Sequence, residues 1–145
     1  MATRLGYTLE EQGEAFRNIM RDQLKIFVVF QYMIGNTDWN LRRRHNLRMI
    51  RGNDKTGAIP IPYDFDFSGF VNADYANSHP SLPIKSVIER LFQWSGSAEE
   101  NFDDIYNLFR EKRNLFFSVI DDFPCLNEEV KAELKSYLTS FNDNI

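Results

Sequence analysis

The run Leu24-Lys25-Ile26-Phe27-Val28-Val29-Phe30-Gln31-Tyr32-Met33-Ile34 is apolar almost all round, and Gly35 stops it at once. A helix that is hydrophobic on every side has to be buried rather than laid on a surface. Glycine at its end supplies the left-handed residue that commonly closes a helix. Upstream, Thr8-Leu9-Glu10-Glu11 has the form of a capping box, and Phe16, Ile19, Met20, Gln23, Phe27 and Phe30 follow at three- and four-residue steps. The pattern predicts one helix from about Leu9 to Ile34, acting as the central pillar of a domain.

After Gly35 the chemistry changes. Asn36-Thr37-Asp38-Trp39-Asn40 consists of turn and cap residues around one large aromatic. Asn46-Leu47-Arg48-Met49-Ile50 alternates weakly, as a short strand would, and Arg51 to Gly57 is turn chemistry. Ala58-Ile59-Pro60-Ile61-Pro62-Tyr63-Asp64-Phe65-Asp66-Phe67 is its expected partner. Two prolines remove backbone donors, so this partner has to be an edge or irregular strand. The pair forms a small two-stranded ribbon that needs helices beneath it for stability.

Residues 68–82 read as a loop, and three further helices are expected. The first runs from about Pro83 to Trp94. The second starts at the capping box Ser97-Ala98-Glu99-Glu100 and continues past Ile120, and the third spans about Asn127 to Phe141 with Val130, Leu134, Leu138 and Phe141 on one stripe. The fold class is mainly α with a two-stranded β-ribbon (α+β), in a single helical domain over 1–145.

Composition narrows the function classes. No apolar run approaches the roughly 20 residues needed to cross a bilayer, and the first residues lack the basic-then-apolar layout of a secretory signal. A soluble, cytoplasmic chain with no membrane partner is expected. One cysteine, Cys125, excludes an internal disulfide and a cysteine zinc site, and two histidines make a histidine metal centre improbable. Cys125, following Pro124, reads as a core residue, His45 as structural and His79 as solvated. The 13 phenylalanines fall mostly at helical spacing and read as core.

Charge is distributed unevenly. Arg42, Arg43, Arg44, Arg48, Arg51 and Lys55, opposed only by Asp54, give the stretch 42–55 a charge of +5 in a chain whose total is −4. Such a stretch suits phosphates or an acidic partner, or is an ordinary solvated face. The acidic total makes nucleic acid the weaker choice.

A ribbon folds its ends together, so Asp38, Asn46 and Asp64 are expected to converge on one edge. Carboxylates and an amide oxygen are hard ligands suited to Mg²⁺. A further carboxylate can accept a proton from a substrate hydroxyl. Helix, Asp-bearing loop, Asn, hairpin and strand-end Asp is also the order of the lower lobe of protein-kinase-like folds.

On these residues the chain resembles the atypical kinases, in particular the spore-coat-protein kinases, the HipA-type kinases and the lipid-kinase-like group. The motifs are Asn36-Thr37-Asp38, His45-Asn46-Leu47 and Tyr63-Asp64-Phe65-Asp66, within 35–70. The resemblance implies Asp38 as the catalytic aspartate, with Asn46 and Asp64 or Asp66 (Asp64 preferred) holding Mg²⁺ or Mn²⁺ with ATP. Asn46 lies eight positions beyond Asp38, about three more than the usual spacing. Arg42, Arg43 and Arg44 fit as the insertion and as phosphate-facing cations, and Asn40 is a second candidate for the amide ligand. The resemblance covers a lower lobe, so the expected function is phosphoryl transfer to an unknown hydroxyl or protein substrate, weak or absent without an upper lobe. The alternatives are a binding module using the 42–55 hairpin and a helical protein-interaction domain.

Overall fold

The structure, a computed structural model, describes residues 4, 6–9, 18–52 and 57–145. They fall into two compact units, Met1–Gln93 and Trp94–Ile145. Among the described residues are four α-helices and a three-stranded antiparallel sheet, an α+β arrangement. No described helix is long and apolar enough to cross a membrane.

The first unit is built on α1 (Arg21–Met33), whose C-terminal half is buried at Phe27, Val28, Val29, Gln31 and Met33. Its end is a Schellman motif: Gly35 N–H donates to the Tyr32 carbonyl (3.1 Å) and Asn36 N–H to the Gln31 carbonyl (2.9 Å). Gly35 occupies the left-handed region at φ 64°, as the stop signal predicts.

The sheet runs β1 (Tyr7–Leu9), β2 (Leu47–Gly52), β3 (Ala58–Pro62), in that spatial order. β2 alternates as half-buried strands do, with Leu47 and Met49 inside and Arg48 outside. β3 is the edge that its prolines require. Tyr63 N–H donates to the Asn46 carbonyl (3.0 Å), so rungs with β2 recur at Arg48–Ile61 and Ile50–Ile59. Pro60 and Pro62 lie at the intervening positions, opposite Met49 and Leu47, where an N–H would point away from β2. Ala58 also faces away and is satisfied from the other side, donating to the Asn18 carbonyl (2.7 Å) and accepting from Met20 N–H (2.9 Å).

The N-terminal reading needs correction. Leu9 lies in a strand, not a helix, and the ribbon gains a third strand: Tyr7, Thr8 and Leu9 pair with Gly52, Arg51 and Ile50. The helix starts at Arg21, because Met20 is held extended by its bond to Ala58. Glu11 and Phe16, used in the longer helical pattern, lie outside the described residues, as does Lys55 of the basic stretch.

Residues 83–94 are turns and bends rather than a helix. Side chains there compete for backbone donors: Glu89 accepts from Lys85 N–H (3.0 Å) and Ser86 Oγ from Ile88 N–H (3.3 Å). The segment is fastened to α1 by Arg90 Nε, which donates to the Met33 carbonyl (3.1 Å), and by Phe92 edge-on to Tyr32.

In the second unit the single helix expected from Ser97 is two, α2 (Asp103–Glu111) and α3 (Arg113–Asp121), joined at Lys112. Ser97 makes a local turn instead of a cap, its Oγ accepting from Glu99 N–H. The last helix, α4 (Glu128–Asn142), matches its sequence signal, and Asn127 caps it by accepting from Val130 N–H (2.9 Å). Ile105, Phe109, Ile120, Leu138 and Phe141 are buried. Cys125 is exposed, contrary to the core reading, in the turn that connects α3 to α4.

Candidate functional site

The site is assembled from the end of α1 outward. The Schellman turn carries Asn36 into the interior, 1% exposed, where its Nδ2 donates to Gln31 Oε1 (3.1 Å). Its Oδ1 accepts from Asp38 N–H (3.0 Å), and its carbonyl accepts from the Trp39 indole N–H (3.1 Å). Trp39 also stands edge-on to Phe27 of α1, centroids 5.0 Å apart. Asn36 therefore fixes the backbone of Asp38 from within the fold.

From the sheet side, Asn46 clasps Asp38 twice. Its Nδ2 donates to the Asp38 carbonyl and to Asp38 Oδ2, both at 2.9 Å. With its nitrogen committed to Asp38, the Asn46 amide turns its oxygen away from that carboxylate. The other oxygen, Asp38 Oδ1, meets His45 Nε2 at 2.9 Å. The connection between Asp38 and Asn46 is a tight turn in which Asn40 and His45 exchange backbone hydrogen bonds. Asn40 Oδ1 accepts from Arg43 N–H (2.9 Å), so this amide oxygen serves the turn.

Asp64 follows Tyr63, whose N–H closes the ribbon on Asn46. Its carboxyl is held above the usual carboxylate range, first by the negative charge of Asp66, then by partial desolvation, by a hydrogen bond with Asp66 and by the charge of Asp38. Between the two acids, Phe65 anchors the segment edge-on to Phe30 of α1 (5.8 Å). Asp66 Oδ2 accepts from Tyr75 Oη (3.0 Å), which raises the Tyr75 phenol above its ordinary value. Asn46 and Asp64 both adopt positive φ, 54° and 60°, a conformation that Asn and Asp tolerate better than other side chains.

The geometry thus brings together Asp38, Asn46 and, one and three residues beyond the Asn46–Tyr63 rung, Asp64 and Asp66. The arginines are spread out. Arg43 lines a cleft beside Asp38, Arg42 is exposed, Arg44 is half-buried, and Arg48 stacks over the Tyr63 ring (5.0 Å). His45 was missed as a site residue. The only signal for it is its place next to Asn46, seven residues from Asp38.

The raised carboxyl of Asp64 carries a pH dependence. A carboxyl whose folded value lies above its unfolded value contributes stability that is present at low pH and lost as pH rises through the folded value. Replacing Asp66 with Asn removes the largest cause. The variant is expected to melt above the parent at pH 7, with the difference closing as pH falls through the carboxylate range. A melting series from pH 3 to 8 checks it.

A divalent cation is implied by the resemblance, and the donors present can be tested against it. Asp64, Asp66 and the Asn46 side-chain oxygen are hard oxygen donors. Among the described residues no group of three or more His, Cys, Asp or Glu side chains forms a cage that could hold a metal. These three oxygens do not make a closed protein site, and an ion here would need substrate phosphates and water to complete its shell.

In comparison with known proteins, no family model, curated protein or solved structure matches the chain.

Proposed function

We propose that this corner is the catalytic part of a kinase-like phosphotransferase lower lobe. Asp38 takes the proton of an accepting hydroxyl, and Asn46 and Asp64, with Asp66 beside them, hold a divalent cation on a nucleoside triphosphate. The observation that supports it most is the double clasp of Asn46 on Asp38, with Asp64 leaving the same end of the ribbon. In the transfer, the acceptor oxygen bonds to the terminal phosphorus as the bond from that phosphorus to its bridging oxygen breaks. The proton passes to a carboxylate oxygen of Asp38, and nucleoside diphosphate leaves with the electron pair. The cation, when bound, neutralises phosphate charge. Asn36, Asn46 and His45 orient Asp38 for that proton. An upper lobe that grips the nucleotide base belongs to this reading, and transfer by the lower lobe alone is weak.

The test is a melting curve of the chain with Mg²⁺ or Mn²⁺ and ATP. A ligand at 100 times its Kd adds about 2.7 kcal/mol to stability, so saturation should raise the Tm by several degrees. Asp64→Asn keeps a side chain suited to the positive φ and should abolish the rise. A parent chain whose Tm is unmoved by millimolar metal–nucleotide would sink the reading.

A further inference from the structure

A cleft of ≈ 670 Å³ opens beside Asp38, which forms part of its wall. Among the described lining residues Asp38 is the only carboxylate and Arg43 the only lysine or arginine. Trp39 and Phe67 supply aromatic rings. The Trp39 indole N–H is committed to the Asn36 carbonyl, so the ring offers the cleft apolar surface. Thr37, Asn40, Asn77, Ser78 and Ser81 also line it; Asn40 Oδ1, Asn77 Nδ2 and Ser78 Oγ serve the backbone at Arg43, Tyr75 and Ile84, which leaves the Thr37 hydroxyl, the Asn40 nitrogen and the Asn77 oxygen for a ligand.

The rest of the lining comes from residues 77–82, a turn that is well tied. Ser78 Oγ donates to the Ile84 carbonyl (3.3 Å), and Leu82 N–H donates to the His79 carbonyl (2.9 Å). His79 Nδ1 accepts from Ser81 N–H (3.3 Å) and lies 2.8 Å from Ser81 Oγ.

The volume lies in the range that encloses a small molecule. A peptide added as a strand would need a sheet edge with open donors and acceptors, and this wall is a turn bonded to itself. Aromatic rings beside free hydroxyl and amide groups, with one arginine, match a hydroxyl-rich ring compound that bears one acidic group. We propose that the cleft binds a small polyhydroxylated acid, a sugar acid or a sugar phosphate, with a hydroxyl toward Asp38 and the acidic group at Arg43. As the phosphate acceptor this compound rests on the phosphotransferase reading; as a ligand it does not.

The experiment titrates the chain, without nucleotide or metal, with glucuronate, glucose 6-phosphate, glucose and a serine-containing peptide. Calorimetry and tryptophan fluorescence are the readouts. Saturable binding of at least one acidic sugar is expected, and the better of the two identifies the acidic group as carboxylate or phosphate. Glucose should bind roughly tenfold more weakly, the size of one charge-assisted hydrogen bond. Arg43→Ala, at an exposed position, should bring the acidic sugar down to the level of glucose. The inference is overturned if neither acidic sugar binds, if glucose binds as well, if Arg43→Ala changes nothing, or if the peptide alone binds. Metal–nucleotide stabilisation without sugar binding would remove this inference only. Sugar binding without that stabilisation would remove the transfer chemistry and leave the ligand assignment.

Discussion

Alanine at position 36 is expected to cost the fold several kcal/mol, although the residue sits in a short connection rather than a helix or strand. Its side chain bonds both Asp38 N–H and Gln31 Oε1, and Asn36 is almost fully buried. Each polar group left unsatisfied in such a place costs about 1–3 kcal/mol. The loss should therefore be about 2–6 kcal/mol, comparable with deletion of a core leucine. Gln31 aggravates it, because its Nε2 is already buried without a partner among the described residues. Urea melts of Asn36→Ala followed at Trp39, with Trp94 replaced by Phe in variant and parent alike, check the figure. A variant within about 0.5 kcal/mol of the parent, the range of ordinary surface changes, would show that Asn36 does not hold the turn.

Asp38→Asn should leave the fold nearly intact and remove most of the transfer chemistry. A positioned proton acceptor contributes typically ~10²–10⁴-fold to rate, and an amide cannot accept that proton. The substituted amide would also have one acceptor oxygen for two neighbours, Asn46 Nδ2 and His45 Nε2, where the carboxylate has two. Phosphoryl transfer measured with an upper lobe supplied should fall by a factor in that range, while the Tm rise with Mg²⁺ and ATP should persist. Loss of both together would mean that Asp38 serves the fold or the metal rather than the proton. Retained transfer would place the proton acceptor elsewhere.

The residues that stop or bend the chain were the most legible. Gly35 ended α1 where its conformational freedom implies, Asn127 capped α4, and the prolines marked β3 as an edge. The approach of Asp38 to Asn46 was expected from ribbon folding, but the 40–45 turn makes it. Contacts distant in sequence were not legible. β1 exists because Thr8 meets Arg51, 43 residues away, and a three-residue strand carries no period of its own. The capping-box pattern at Thr8 is local, and Thr8 and Leu9 pair with β2. The turns at 83–94 look helical by composition until Arg90 is seen to tie them to the Met33 carbonyl. His45 was invisible as a partner of Asp38 because the 40–45 turn that aims it is fixed by backbone bonds.

The two prolines of β3 have a consequence for how reproducibly the chain can fold. A one-residue slip of β3 along β2 would put Pro60 and Pro62 on the rungs now filled by Ile59 and Ile61, where neither has a hydrogen to give. The same slip would turn Leu47 and Met49, both buried, toward partners of the wrong face. A two-residue slip keeps the faces but carries Asp64 about 7 Å along the strand from Asn46. Misregistered ribbons are thus either short of hydrogen bonds or without their acidic corner, and two imino acids act as a checkpoint on the assembly of Asp38, Asn46 and Asp64.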